Sequence, residues 1–526
     1  MTDFLTSIGY ESWILHALVW GPMLGMVHVL LSKEESAKHV GFRWAMALFV
    51  VSIGLWWAFE PGTGGFTMTS SRTWIGAWGV EYALGVDGIS LFMVLLTTLT
   101  TPIAILGSFE YIKKQQKAFY ALMLLLEMGV VGVFTSMDMF LFYVFFELTL
   151  VPMYFIIGIW GGERRIYAAV KFFLYTALGS LLMLVAMLYL YFSAGATSFS
   201  FDALMQAPLT LQEQLWLFSG FALAFAIKVP IFPFHTWLPD AHVEAPTPGS
   251  VVLAAVLLKM GTYGFLRFLL PFFPAAAQHP TVVSVMLVLG VVGIIYAAWV
   301  AAVQPDAKKL VAYTSVAHMG FVVIGIFALT VNGLQGGLVV MISHGISTGA
   351  LFLLLGMMYE RRHTRLIEDF GGLGRVAPFF ATAFVITALA SIGLPGTSGF
   401  VGEFLALLGT FETHRTAAIL ASTGVIFAAY YMLPMVQRIL FNKLDKEENR
   451  SFPDLSRREM WILAPLVGLM IWIGVHPTPI LERMGPSVER VLERVESGSI
   501  AADPLAGTTG ALSVQLDPST ALPEGE

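Results

Sequence analysis

The stretch AIKVPIFPFHTWLPDAHVEAPTPGSVVLAAVLLKMGTYGF, residues 226–265, decides the fold class of this chain. It contains two apolar runs, and each carries one lysine, Lys228 and Lys259, among apolar neighbours. Pro230 and Pro233 interrupt the first run, because an interior proline removes a backbone donor and kinks a helix. Charges and broken helices are tolerated at membrane depth only against protein or a wet cavity, so the stretch predicts a membrane protein with a polar interior.

The composition of the whole chain supports this interpretation. Of the 526 residues, 57% are hydrophobic and 12% are charged, whereas soluble domains carry about 25% charged residues. The mean hydropathy of +0.77 agrees, and soluble enzyme classes are excluded. A net charge of −6 provides no basic surface for nucleic acid.

The chain contains no cysteine. Thiolate ligands for iron–sulfur clusters or haem, disulfides and nucleophilic thiols are therefore excluded, and we expect no cofactor on this chain. One segment holds four side chains of metal-binding type: His235, Asp240, His242 and Glu244. Because the segment lacks H-E-x-x-H spacing, we favour a structured loop that lines a proton uptake path over a metal site.

Fourteen apolar runs are long enough to span a membrane, which takes about 20 residues. They cover residues 12–31, 43–59, 87–109, 117–136, 138–159, 166–192, 212–232, 249–270, 280–302, 308–329, 334–358, 377–409, 415–440 and 459–475, numbered here as spans 1 to 14. Met1–Tyr10 lacks the basic residues of a signal peptide, so we expect span 1 to stay uncleaved. The even number places both termini on one side.

The basic residues predict which side that is. Loops after odd-numbered spans hold nineteen of them: Lys33, Lys38, Arg43, Lys113, Lys114, Lys117, Arg164, Arg165, Lys308, Lys309, Arg361, Arg362, Arg365, Arg375, Lys443, Lys446, Arg450, Arg457 and Arg458. Loops after even-numbered spans and the C-terminal tail hold five: Arg72, Arg415, Arg483, Arg490 and Arg494. The positive-inside rule therefore places the odd loops in the cytoplasm and both termini outside.

Five basic residues remain within predicted spans. Lys171, Arg267 and Arg438 lie toward span ends, where snorkelling into the interface explains a long cationic side chain. Lys228 and Lys259 lie too deep for that explanation.

Seven ionisable side chains fall near the middle of predicted spans: Glu127, Glu147, Lys228, Lys259, His318, His344 and Glu403. A charge at a helix centre costs about 2.5–3.5 kcal/mol, so four such charges rival the stability of a whole domain, about 5–15 kcal/mol. They must be paired, hydrated or neutralised. An ion or proton path and structural ion pairs between helices are the two interpretations. Imidazole titrates near neutral pH and suits a relay, although a histidine within a helix is often a packing residue.

Two predicted spans carry helix breakers beside a charge. Pro230 and Pro233 interrupt span 7, and Pro395 and Gly396 interrupt span 12. Interrupted spans at matching places in two halves are typical of transporters built from inverted repeats.

Two spacings favour such a repeat. Lys228 and Glu403 lie 175 residues apart, and Glu147 and His318 lie 171 apart. Each pair is five spans apart, and since five is odd the two copies would be inverted. The predicted organisation is two spans and an outside loop in 1–86, a third span in 87–116, five-helix repeats in 117–270 and 271–440, a loop and last span in 441–475, and a polar outside tail in 476–526 that starts amphipathic and ends disordered.

Six stretches also carry a resemblance to a known family: LGVDGISLFMVLLT, FFELTLVPMYFIIGIWGG, AIKVPIFPFHTWLPDAHVEAPTPGSVVLAAVLLKMGTYGFLRF, AYTSVAHMGFV, SHGISTGALFLLLGMMYERRHTR and GLPGTSGFVGEF. They are spread over about residues 80–440 and resemble the antiporter-like M subunits of respiratory complex I, NADH:quinone oxidoreductase. Glu403 favours M over the sister subunits L and N, several of which carry lysine at that place. The short C-terminal tail also argues against the long lateral helix of subunit L.

The resemblance implies fourteen helices with inverted repeats, and a hydrated lateral proton route through the mid-membrane residues. In that route Glu147 pairs with Lys228, and Lys259, the two histidines and Glu403 follow. It implies a bacterial inner membrane protein whose neighbours in the membrane arm are L and N type subunits. It also implies that this chain holds no redox centre and that flavin, iron–sulfur clusters and quinone are bound by other subunits. A subunit of a multi-subunit Na+/H+ antiporter is the alternative, and a purely structural scaffold is the third interpretation.

Overall fold

Long apolar runs form helices in this chain because a segment in lipid must satisfy its own backbone N–H and C=O groups. The computed structural model describes residues 1–195 and 197–502. In that part, twelve helical segments are long and apolar enough to cross a membrane: Tyr10–Leu31, Glu34–Ala58, Ser90–Gly107, Gln116–Thr135, Met139–Trp160, Arg165–Ser193, Thr247–Phe272, Pro280–Ala302, Ala307–Phe327, Val331–Arg362, Arg415–Phe441 and Arg457–Val475. The prediction of a helical polytopic membrane protein is confirmed.

The two predicted spans outside that set are the two with internal breakers. Span 7 consists of Leu211–Lys228 and Trp237–Glu244, so the prediction that it continues to residue 232 is wrong, and part of the predicted loop is helical. Span 12 consists of Pro378–Ile392 and Ser398–Thr413. The first half of span 7 has 18 residues and the halves of span 12 have 15 and 16, but none of these halves is among the twelve segments. The total of fourteen therefore stays a prediction.

One element was not predicted. Residues 60–86 were expected to form a loop, but Thr67–Ile75 and Val80–Val86 pair as an antiparallel two-stranded sheet in which Ser70 faces Leu84. Threonine, valine, tyrosine and isoleucine favour strands, and the short polar repeat TMTSSRT gave too weak a pattern to separate a hairpin from a loop. The remaining α-helices of the described part are the short helices Thr2–Ser7, Phe201–Leu204, Pro274–Gln278, Leu373–Val376 and Glu447–Arg450, and the 25-residue helix Thr478–Ala502.

The loops gather at two ends of the bundle according to the span that they follow. A cavity of about 400 Å³ is lined by loops after spans 3, 5, 7, 9 and 11, and a cavity of about 540 Å³ is lined by the hairpin, by loops after spans 4 and 6 and by Thr478–Ala502. Thr247 and Pro271, at opposite ends of one helix, line one cavity each. We call the first end the basic face and the second the hairpin face.

The helix Thr478–Ala502 lies across the hairpin face. Arg483 stacks on Trp56, 3.9 Å from the ring centroid, and Gln278 donates to the carbonyl of Val495 at 2.6 Å. Arg494 donates to the carbonyls of Pro271 and Met205. The amphipathic start predicted for the tail thus forms a helix that packs on the hairpin face of the bundle. The end predicted to be disordered, 503–526, lies outside the described residues.

Spans 5 and 10 begin in the same way at the two faces. Asp138 accepts hydrogen bonds from the N–H groups of Phe140 and Leu141, and its backbone bridges to Ser200 at the hairpin face. Asp306 accepts from the N–H groups of the second and third residues after it, and its backbone bridges to Leu366 at the basic face. A carboxylate at this position satisfies the first free N–H groups of a helix. This correspondence is what an inverted repeat requires.

Candidate functional site: a buried row of ionisable side chains

Lys228 lies at the broken end of span 7. The helix stops there because Pro230 has no N–H to continue it, and two groups satisfy the carbonyls that are left. The N–H of Ile231 donates to Ala226 at 2.7 Å, and the indole N–H of the buried Trp237 donates to Ile227 at 2.8 Å. The side chain of Trp237, in the second half of the span, therefore satisfies a carbonyl left free where the first half ends at Lys228.

Replacing Trp237 by phenylalanine is expected to destabilise this break by about 1–3 kcal/mol, since it leaves the buried Ile227 carbonyl unsatisfied. The measurement is the midpoint of thermal unfolding of the solubilised protein. Trp216→Phe on the same span is the matched control, because that side chain is 72% exposed. Equal midpoints for both variants would contradict the assigned role of the indole.

Glu147 and Lys228 do not form an ion pair in this structure, which corrects the predicted pairing. The Lys228 ammonium lies 5.0 Å from the ring centroid of Phe146 and 5.8 Å from that of Phe172. Among the described residues, neither Lys228 Nζ nor Glu147 Oε1 has a hydrogen-bond partner. The two groups interact through space, and the aromatic faces stabilise the cation while it is unpaired.

Lys259 lies between two π-helical turns of span 8, Leu253–Leu257 and Phe265–Leu269. Such turns break the regular hydrogen-bond ladder and are frequent at functional sites. The fully buried ammonium donates to the carbonyl of Ala254 at 2.6 Å and contacts Nδ1 of His344 at 2.7 Å. The π turn thus supplies the carbonyl that holds the Lys259 ammonium beside His344 of span 11.

His344, His318 and Glu403 continue the row. The two imidazole centroids lie 5.8 Å apart, and Nδ1 of His318 contacts Oε1 of Glu403 at 2.7 Å. His344 therefore precedes His318, whereas the sequence interpretation left their order open. The three side chains line a cavity of about 10 Å³, close to the minimum that holds one water molecule.

Glu403 is positioned by the break in span 12. Gly393 ends the first half with φ of +84°, and a Cβ there would lie 3.0 Å from Oε2 of Glu403. Pro395 and Gly396 follow in the break, where Gly396 has φ of +89°. Left-handed backbone is inexpensive only for glycine, so Gly393 leaves the space next to the carboxylate, and Pro395 and Gly396, the breakers predicted from the sequence, follow it in the break.

Glu127 is not part of this row. Its carboxylate is buried, and neither oxygen has a hydrogen-bond partner among the described residues. The structure brings together Lys259, His344, His318 and Glu403 by direct contact, and it places Glu147 near Lys228.

The segment after the break does not gather its four metal-type side chains. Asp240 pairs with Lys171 at 2.7 Å, and Glu244 accepts from the N–H of Arg164 at 2.9 Å. His242 instead stacks on Phe352 with centroids 4.5 Å apart. In the part of the chain that the structure describes, no three His, Asp or Glu groups lie close enough to hold a metal ion.

Lys308 is a buried cation that the sequence interpretation missed, since it was counted among the loop residues that mark one side. Its ammonium donates to the carbonyl of Ala245 at 2.6 Å, and the residue lines the basic-face cavity. His242 is buried behind it, and neither ring nitrogen has a partner within the described residues. Both groups interact electrostatically with each other, and His242 also interacts with Lys259.

Comparison with known proteins gives a consistent picture. A family profile described as NADH:quinone oxidoreductase/Mrp antiporter, TM, matches residues 136–428, and one described as NADH-ubiquinone oxidoreductase chain 4, amino terminus, matches residues 23–132. NADH-quinone oxidoreductase subunit M of Rhodobacter capsulatus is 47% identical over 473 residues, which cover 88% of this chain and 91% of that protein.

Solved structures agree. A chain of respiratory complex I from Thermus thermophilus with bound NADH has a TM-score of 0.85 and 33% identity, covering 92% of this chain and 99% of its own. A chain of the Mrp complex from Dietzia sp. DQ12-45-1b has a TM-score of 0.79 at 19% identity, covering 94% and 99%. The second likeness shows a shared fold alone.

Proposed function

The chain belongs to the family of M subunits, or chain 4, of NADH:quinone oxidoreductase, and from that premise we propose that its buried ionisable side chains carry protons. The protein is a proton-translocating membrane-arm subunit of complex I, and its partners are other membrane-arm subunits. The finer proposal concerns which residues act and in what order. The observation that carries it is the row Lys259, His344, His318, Glu403, in which 2.7 Å contacts join the first two and the last two groups and the imidazole centroids lie 5.8 Å apart.

We assign the redox chemistry to other subunits. The absence of cysteine from the chain supports this assignment, because flavin and iron–sulfur partners would hold the electrons while this subunit holds protons. Quinone reduction elsewhere would then act on this chain by shifting charges at its boundary, with antiporter-like L and N type subunits as the neighbours.

Glu147 and Lys228 form the receiving end of the route. Without an ion pair, Lys228 is stabilised by the aromatic faces of Phe146 and Phe172 and by its interaction through space with the Glu147 carboxylate. A shift of Glu147 toward Lys228 favours the ammonium, and a shift away favours the neutral amine. The switch converts a charge movement into proton release from Lys228.

Water connects Lys228 to Lys259 in this proposal. Spans 7 and 8 are in close contact between the two lysines, since a Cβ on Gly261 would lie 2.8 Å from the carbonyl oxygen of Phe225 and 3.1 Å from Cβ of Lys228. The two ammonium groups are held on neighbouring backbones without a direct hydrogen bond in the described structure. Glu403, at the other end, passes a proton to the outside or to the next subunit.

Proton uptake is assigned to the basic face, which we place in the cytoplasm of a bacterial inner membrane. The excess of nineteen basic residues in its loops supports that orientation, and both termini then lie outside. Lys308 lines the cavity of about 400 Å³, and His242 interacts electrostatically with both Lys308 and Lys259. The two five-helix repeats, 117–270 and 271–440, then contribute one broken span each to the route.

Replacing Glu147 by glutamine in the intact complex tests the route. The amide removes the charge at constant shape, and we expect NADH-driven proton translocation in liposomes to fall by about 5- to 150-fold, the usual range for coupling between sites. Glu448→Gln, in the short helix Glu447–Arg450 and exposed, is the matched control. Full translocation by an assembled Glu147→Gln complex would refute the assigned role.

A Na+/H+ antiporter subunit is the second candidate, and it is less supported. The fold shared with the Mrp complex favours this candidate, whereas subunit M of Rhodobacter capsulatus is 47% identical over 88% of this chain. Copurification with flavin and iron–sulfur subunits separates the two candidates.

A further inference from the structure

We propose that Arg267 is a fixed positive charge that seals span 8 at the hairpin face, so that a proton on Lys259 does not leak directly to the outside. The proposal rests on the proposed function of Lys259 as a proton carrier. The sequence explained Arg267 by snorkelling at a span end. That explanation is wrong, because its side chain is only 5% exposed and is paired within the protein.

Lys259, Tyr263 and Arg267 follow one another at intervals of four residues along span 8. Residues at this spacing lie on one side of a helix. The phenol oxygen of Tyr263 accepts a hydrogen bond from Nε of Arg267 at 3.2 Å, and its O–H donates to the carbonyl of Phe134 at 3.3 Å. A polar row therefore leads from the central lysine toward the hairpin face.

The guanidinium is the group that blocks this row. Its Nη2 lies 2.5 Å from Oδ2 of Asp87, while its Nε donates to Tyr263, so the guanidinium joins the phenol to the carboxylate. The rings of Phe66, Tyr263 and Phe201 surround it, with centroids 4.6, 5.4 and 6.0 Å from the central carbon. A proton that leaves Lys259 along the row thus meets a permanent cation before it meets a carboxylate.

Asp87 is held in place as well. Its Oδ1 accepts from the N–H groups of Ile89 and Ser90 at 3.1 and 2.9 Å, where span 3 begins. The carboxylate therefore caps one helix with one oxygen and anchors Arg267 with the other. A cap and an ion pair on the same side chain fix the guanidinium relative to the backbone.

The ion pair separates this row from water. Arg267 and Asp87 both line the hairpin-face cavity of about 540 Å³, yet their side chains are 5% and 3% exposed. The cavity is lined by further polar residues, among them Asp202, Arg490 and Arg494. Since cations fixed in a narrow polar passage exclude protons, the geometry makes Arg267 the barrier between a wet vestibule and Lys259.

The test is the proton permeability of the reconstituted complex. A pH gradient is imposed across liposomes with quinone reduction inhibited, and its decay is followed. We expect Arg267→Gln to speed the decay about tenfold, as loss of a small electrostatic barrier would, and to lower the protons moved per electron while NADH oxidation continues. Arg267→Lys keeps the charge and is expected to stay tight. If Arg267→Gln fails to assemble, Arg267→Met, whose stem still packs among the three rings, is measured instead.

Asp87→Asn separates a charge barrier from loosened packing. Asparagine still caps a helix, so this variant breaks the ion pair but keeps the cation, and we expect no added leak. Equal leaks in Asp87→Asn and Arg267→Gln, or a tight Arg267→Gln complex, would overturn the proposal. Arg267→Gln combined with Lys259→Met is expected to be tight again. Lys259→Met alone tests the proposed function separately. Full pumping by that variant would refute the proposed function, whereas an unchanged leak in Arg267→Gln would refute the barrier.

Discussion

Proton translocation is expected to stop at this subunit when Lys259 is replaced by methionine. Methionine fills a similar apolar volume, but the hydrogen bond to the Ala254 carbonyl and the contact with Nδ1 of His344 are lost. Because Lys259 joins the two halves of the route, proton transfer through it should slow by about 100-fold or more. The measurement is acidification of liposomes driven by NADH, together with the rate of NADH oxidation.

The Lys259→Met experiment has a matched control in Lys443→Met, the same change at an exposed loop residue. Native electrophoresis establishes that both complexes are assembled. The removal of a buried cation that rests on one carbonyl and one imidazole is not expected to destabilise the helix, because a buried charge is itself expensive. Wild-type pumping by assembled Lys259→Met complex would exclude Lys259 from the route.

Assembly of the subunit is expected to fail when Gly336 is replaced by valine. Spans 11 and 12 touch through backbone at this point, and a Cβ on Gly336 would overlap main-chain atoms of Leu405 and Ala406. Gly402, the residue before Glu403, approaches span 11 in the same way, since a Cβ on Gly402 would overlap main-chain atoms of Val340. Backbone cannot yield as a flexible side chain does, so overpacking should exceed the usual cost of about 1–3 kcal/mol.

Gly293→Val, in span 9, is the control for the assembly prediction. A Cβ there meets no atom within 4 Å, so the variant carries the same change in helix propensity without the clash. The amount of subunit in purified membranes and its incorporation into the complex are measured for both. If Gly336→Val assembles as well as Gly293→Val, spans 11 and 12 are not held at the distance described.

The seven ionisable residues could be found from the sequence because charge is scarce in this chain. Lys228 and Lys259 lie in apolar runs, and the cost of burying each charge identifies them without any structure. The hairpin was missed, because short half-polar strands differ little from loops in their pattern. Lys308 and Arg267 were assigned to the interface, because a pattern gives the depth of a residue along a helix but not the side to which its side chain turns.

Sequence by itself determined the membrane fold, the broken spans and the set of candidate proton carriers, since hydropathy, proline and buried charge each act locally along the chain. Only the tertiary structure decided how those residues are connected. It placed His344 between Lys259 and His318, separated Glu147 from Lys228, left Glu127 apart and turned Arg267 inward. The physical reason is that a contact between side chains depends on how each helix is rotated and on how closely two helices approach at glycines such as Gly261 and Gly336. Neighbouring spans fix both quantities jointly.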